Sequence, residues 1–258
     1  GFLHPPTKQW KAKLSATNAQ LSSGLIKLLP ADMQDQMKEL RAVSGKINLK
    51  VEAQGLATLE EIPEIQIDAQ VEQLTIDDNR LPFPIQNGSF EFQSSIGHDN
   101  EFLSIKNATA RFGEAQFKYD YWHRGFVLAP EQYKLNGRLD NFNFSNQERL
   151  IKWFPEYCTK FCNEYSPSGT SDIGFELEYD GDSLNRSINA DLTDMSFSFI
   201  KLPYEISNCR GKVTLNNEKC DFYVQSNSGD DLITLKGSAR GVGKSPTYEV
   251  NISAPGAL

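Results

Sequence analysis

The 258-residue chain is poor in the residues from which catalytic and metal centres are most often built. It has three histidines, and His4, His98 and His123 stand too far apart to form an HExxH or another spaced ligand set. No GxSxG, P-loop or GxGxxG occurs, and Gly241-Val242-Gly243-Lys244 lacks the rest of a phosphate loop. Asp77-Asp78-Asn79 has turn chemistry without the spacing of a calcium loop. Its carboxylates fall mostly at outward strand positions such as Glu52, Glu176 and Glu178, where solvation explains them better than the paired geometry of glycoside hydrolysis. The expectation is therefore a protein without catalytic residues, without a metal and without a cofactor.

Positive charge is also short. The 26 Lys and Arg residues are scattered among 34 Asp and Glu, a net charge of -8. A nucleic-acid binder gathers basic residues into a stripe that displaces counterions from phosphate, so a nucleic-acid partner is excluded as the expectation. There is no apolar run of about 18 residues, hence no segment that reads as a membrane-spanning helix. The opening Gly1-Phe2-Leu3-His4-Pro5-Pro6 lacks the basic and apolar regions of a secretory signal.

The four cysteines leave several readings open. Cys209 and Cys220 flank an expected hairpin turning at Asn216-Asn217, which would set Cys209 opposite Val224 and Cys220 opposite Val213, too far apart for a disulfide. Cys158 and Cys162 are spaced to share one helix face. Buried free thiols are the leading reading, ahead of a disulfide and of a metal site.

What the chain does have is aromatic strand material, 16 Phe and 9 Tyr, set in clean alternation. Ile47, Leu49, Val51 and Ala53 point one way while Lys46, Asn48, Lys50 and Glu52 point the other. Ile173, Phe175, Leu177 and Tyr179 repeat the pattern, as do Ala115, Phe117, Tyr119 and Tyr121. That period of two describes antiparallel strands with one dry face and one wet face.

The alternation is also repeated along the chain. Residues 67–76 (IDAQVEQLTI) recur as residues 188–197 (INADLTDMSF), an offset of 121. Leu81-Pro82-Phe83-Pro84-Ile85 recurs at the same offset as Leu202-Pro203-Tyr204-Glu205-Ile206, and Lys13-Leu14 as Lys134-Leu135. Leu25 to Pro30 resembles Leu150 to Pro155 after a short insertion. Helix is expected only in the inserts: an amphipathic turn or two over 32–40 with Met33, Met37 and Leu40 on one face, and a capping box of Ser145 with Glu148. The expected organisation is a first β repeat over residues 1–131 with a helical insert near 22–42, then a second over 132–245 with an insert near 145–165. Residues 246–258 would start a third copy, since Tyr248, Val250 and Ile252 alternate like Trp10, Ala12 and Leu14 and like Tyr133, Leu135 and Gly137. An array stopping in mid-strand is expected to continue beyond both ends.

A smaller pattern recurs inside the copies: apolar, polar, apolar, two polar, apolar, polar, apolar. It fits Leu14-Ala16-Ala19-Leu21, Ala69-Val71-Leu74-Ile76, Gly137-Leu139-Phe142-Phe144 and Ala190-Leu192-Met195-Phe197. One extra residue in a period-two strand is what a β-bulge requires, and bulges at equivalent places would curve the sheet. The expected fold is mainly β: a long curved antiparallel sheet, groove-like or taco-like, built from two tandem repeats with a short helical insert in each.

The bulged strand, the stretch ending Leu28-Leu29-Pro30, Ser44-Gly45 and the strand from Lys46 to Val51 together resemble the AsmA-like bacterial envelope proteins. The stretches from Pro82 to Phe92 and from Pro203 to Leu215 are similar in style. The likeness covers nearly the whole chain and consists of pattern and order. It implies a β-groove whose concave apolar face accommodates phospholipid acyl chains, in the manner of bridge-like conduits between inner and outer membranes. It further implies a periplasmic or cell-envelope location, anchorage through regions outside this chain, and neighbouring repeats of a larger protein as partners. The groove-lining candidates are Ile47, Leu49 and Val51; Ala69 and Val71; Phe90 and Phe92; Phe117 and Tyr119; Leu135 and Leu139; Phe175 and Leu177; and Leu192, Val213 and Leu215. The competing expectation is a structural or adhesive envelope repeat whose apolar faces simply pack. The two differ in whether Phe90, Phe92, Phe117, Phe175, Leu177 and Val213 line an open groove or a closed core.

Overall fold

The computed structural model describes residues 2–4, 9–24, 38–56, 63–81, 83–97, 101–126, 129–146, 156–198, 200, 205–228, 231–241 and 247–254. The protein is mainly β. Its strands are β1 (Phe2–His4), β2 (Gln9–Ser22), β3 (Leu40–Leu56), β4 (Glu64–Asp78), β5 (Ile85–Ile96), β6 (Phe102–Phe112), β7 (Ala115–Phe126) and β8 (Ala129–Asn143). After one helix, α1 (Glu156–Tyr165), come β9 (Ser168–Tyr179), β10 (Leu184–Ser198), β11 (Glu205–Asn216), β12 (Lys219–Ser228), β13 (Asp231–Arg240) and β14 (Thr247–Ser253). Strand order is chain order from β1 to β14, with no crossover. Such a meander needs only hairpin connections, which suits a sequence of alternating strands separated by short polar turns.

Two compact units divide the chain. Unit 1 comprises Gly1–Gly113, Phe117–Gly137 and Glu178–Leu184; unit 2 comprises Glu114–Gln116, Arg138–Leu177 and Asn185–Leu258. In unit 1, β2 to β6 pair antiparallel in succession. In unit 2, β10 to β14 do the same.

The bulges fall where the sequence pattern puts an extra residue. On β2 the register against β3 shifts between Ala16 and Ala19, on β4 against β5 between Val71 and Leu74, and on β10 against β11 between Leu192 and Met195. Asn18 (φ 52°), Gln73 (φ 55°) and Asn141 (φ 57°) occupy the left-handed region at the extra position of β2, β4 and β8. Asparagine tolerates that region better than most side-chain-bearing residues. The N–H that a bulge takes out of the ladder is recaptured by a side chain on the following strand. Asn18 N–H donates to Asn48 Oδ1 (2.8 Å), Asn107 N–H to Asp120 Oδ1 (2.7 Å) and Asn141 N–H to Asp172 Oδ1 (2.8 Å). Each bond restores a partner the ladder no longer supplies.

Several local expectations need correction. Leu40, expected on a helix, begins β3; residues 25–37 lie outside the described residues, and with them Met33 and Met37. Ser145 sits in a 3-10 turn over Phe144–Asn146 and does not start a helix: its N–H donates to Asn143 Oδ1, and its Oγ accepts from Gly169 N–H. Glu148 lies outside the described residues. The hairpin between β11 and β12 turns one residue later than expected, with Asn216 opposite Lys219. Asn217 takes the left-handed conformation (φ 50°) and donates its N–H to Arg186 O, which fixes the later turn. Leu215 therefore faces Cys220, Gly211 faces Val224, and Cys209 lies opposite Met195 on β10. Cys162, Cys209 and Cys220 carry free thiols.

The helix α1 closes with Ser166 (φ 39°), whose N–H donates to Cys162 O, and the buried Pro167 follows it. A proline just beyond the last turn prevents the helix from continuing.

Candidate functional site

Register converts the alternation into rows that cross the strands. In unit 1 one row runs Leu14, Val51, Ile67, Ser94, Leu103 from β2 to β6. A second runs Ala16, Leu49, Ala69, Phe92, Ile105, and a third Ala19, Ile47, Val71, Phe90. Directly opposed side chains across an antiparallel pair stand close enough to touch, so each row is a continuous apolar stripe. Seven of the expected residues (Ile47, Leu49, Val51, Ala69, Val71, Phe90 and Phe92) are brought together here. Phe117 and Tyr119 also belong to unit 1 and stack, ring centroids 5.0 Å apart, while Leu135 lies on its part of β8.

Unit 2 has the same construction. Its rows are Leu192, Gly211, Val224, Leu235, Ile252; then Ala190, Val213, Phe222, Gly237, Val250; then Ile188, Leu215, Cys220, Ala239, Tyr248. Leu192, Val213 and Leu215 take their expected places in these rows. Leu139, Phe175 and Leu177 lie on the parts of β8 and β9 in this unit.

Burial separates the residues more finely. Of the sixteen, Val71 (4% exposed) and Leu192 (8%) are buried, and the other fourteen are half-buried. Strand neighbours cover the flanks of these side chains and leave much of their outer ends uncovered. The exception is one end of unit 2, where Leu192, Met195, Cys209 and Val224 form a buried cluster with Phe144, Phe197, Ile206 and Leu235 packed against it. Within it burial raises the Cys209 thiol pKa above its ordinary value.

Sequence reasoning passed over His123. Its side chain is 1% exposed, its Nδ1 lies 3.2 Å from Tyr121 Oη, and its Nε2 has no hydrogen-bond partner. Burial lowers its pKa below the ordinary imidazole value, because the charged form would lose its hydration. The signal was present in the alternation, since His123 continues the stripe of Phe117, Tyr119 and Tyr121.

The opposite face of unit 1 is polar. Glu52 bonds to both Lys13 and Lys50 at 3.0 Å, and these contacts hold its carboxyl down at about 2. An open cleft of about 520 Å³ on this side is lined by Lys106, Asp120, Trp122 and Lys134 among others. Among the described residues no three His, Cys, Asp or Glu side chains gather as metal ligands. Among them, too, no helix is long and apolar enough to cross a membrane.

Comparison with known proteins finds no match among family models, curated proteins or solved structures.

Proposed function

We propose that this chain is a non-enzymatic segment of a larger cell-envelope protein, similar to the AsmA-like family, whose apolar face holds or conducts lipid acyl chains between membranes. In this reading two tandem repeats, each with a short helical insert, curve the sheet into a groove in the periplasm. Neighbouring repeats of the same protein flank it.

The observation that carries the reading is the state of the rows in unit 1. Three stripes of Leu, Ile, Val, Ala and Phe run across β2 to β6, and nearly all of these side chains stay half-exposed. Covering such a face with an acyl chain removes apolar surface from water on both partners, at about 0.8 kcal/mol per methylene buried. The 121-residue offset supports the tandem repeat, as do the bulges at Leu192/Met195 and Val71/Leu74, which fall at equivalent places in it. The second reading, a packed structural repeat without a ligand, draws on the buried cluster around Met195 and Cys209.

The test is lipid capture in the absence of detergent. The purified protein is incubated with fluorescent phospholipid and followed by native gel and native mass spectrometry. Stoichiometric lipid that is lost on Phe92→Asp, in a variant with an unchanged circular dichroism spectrum, is the expected outcome. A folded protein that takes up no lipid would end the conduit reading and leave the packed repeat.

A further inference from the structure

The strand β14 has one hydrogen-bonded neighbour among the described strands, β13, and all seven of its residues are exposed. Tyr248, Val250 and Ile252 are 69%, 46% and 69% exposed, although they end rows that begin on β10. An edge strand with an apolar alternation and neither proline nor lysine offers its free N–H and C=O groups to another strand.

The chain itself indicates what fits there. Tyr248, Val250 and Ile252 follow the same alternation as Trp10, Ala12 and Leu14 of β2, whose far edge is taken by β3. There Gly55, Ala53 and Val51 lie opposite Trp10, Ala12 and Leu14. On the polar side, bases of β2 and β8 meet acids of the strand that follows. Lys13 reaches Glu52 at 3.0 Å, Lys134 reaches Glu178 at 3.9 Å and Arg138 reaches Asp172 at 2.9 Å. The strand β14 reverses this charge: Glu249 stands where β2 has Lys11 and β8 has Lys134, and β14 carries no base.

We propose that the open edge of β14 is an acceptor for an extended strand of the β3 kind, with alternate apolar side chains on one side and a Lys or Arg opposite Glu249. This goes beyond the lipid reading and does not depend on it, since the edge is formed whether or not the apolar face holds a ligand.

The test uses the whole chain and a labelled peptide of residues 46–56 carrying Gln54→Lys, because Gln54 lies opposite the residue that Glu249 replaces. Saturable binding by fluorescence anisotropy is expected, with slowed hydrogen exchange confined to residues 247–253. The peptide carrying Gln54→Glu should bind about threefold to tenfold more weakly, the span of opposite against like charges across a strand pair. Tyr248→Lys with Ile252→Lys in the protein should abolish binding without changing its melting temperature, because both side chains are exposed. Absence of saturable binding, equal affinity for the two peptides, or protection away from β14 would each overturn the proposal. So would a concentration-dependent dimer that protects β14 and that the peptide does not displace, which would assign the edge to a second copy of the chain.

Discussion

Units 1 and 2 are woven from the same alternating strand, yet they bury it to different depths. Around the β10 bulge in unit 2, Met195 is 2% exposed and Cys209 is fully buried, with Phe144 and Phe197 packed against them. In the equivalent rows of unit 1, Leu49, Phe90 and Phe92 are half-buried, and Val71 is the one large aliphatic side chain of those rows that is buried. Alternation decides which side chains share a face. It does not decide what lies over that face. Cross-strand neighbours shield the flanks of a side chain standing on a sheet, but its tip is covered only by a further layer. In unit 2 that cover comes from the bulge itself and from the 3-10 turn that carries Phe144.

The largest effect that bears on this contrast is a cavity at Met195. Met195→Ala should cost about 2–5 kcal/mol in urea unfolding, the range for emptying a closed core site, against about 1 kcal/mol for Leu49→Ala on the half-buried face. Equal costs would mean that the two faces are covered alike. A second contrast lies within unit 2. A Cβ on Gly237 would fall 2.3 Å from Glu249 O and 2.7 Å from the tip of the Phe222 ring, whereas on Gly174 its nearest neighbour would be 4.0 Å away. Gly237→Ala should therefore lose about 1–3 kcal/mol through overpacking, and Gly174→Ala should lose none. Thermal melts of the two variants side by side would decide this.

The smallest effect is a pH dependence peculiar to unit 1. His123 is held neutral by burial, so its folded pKa lies below its ordinary value of 6.5. The unfolded chain then binds a proton that the folded chain resists. This contribution to stability is complete above pH 6.5 and falls as the pH drops below it toward the lowered folded value. The melting temperature should decline from pH 7 to pH 5 by more in the parent protein than in His123→Phe. Matching slopes would show that the imidazole stays solvated.

Much of the fold can be read in the residues. The expected bulge pattern of Leu14, Ala16, Ala19 and Leu21 is the register shift observed on β2, because period two cannot absorb an odd residue in any other way. Which residue of the polar pair takes the left-handed conformation was equally written in the sequence, as Asn18 and Asn141, and was overlooked. The helix expected over 32–40 failed at Leu40 because a short apolar spacing of three and four suits a helix turn and an irregular strand end alike. The β11–β12 turn was misplaced by one residue because Asn216 and Asn217 are equally good turn formers. The contact of the Asn217 N–H with Arg186 O, 31 positions away in the chain, chose between them.

The sequence by itself determined that the chain is a meander of one-sided strands, which side chains face together, and where the strands bulge. These are consequences of backbone geometry, with its period of two and its few residues that accept positive φ. The tertiary structure alone decided that Met195 and Cys209 are sealed while Leu49 and Phe92 are not, that His123 is buried without a partner for Nε2, and that β14 stands open. Each of these depends on which distant atoms come to rest against a side chain, and a local pattern of apolar and polar residues carries no information about that.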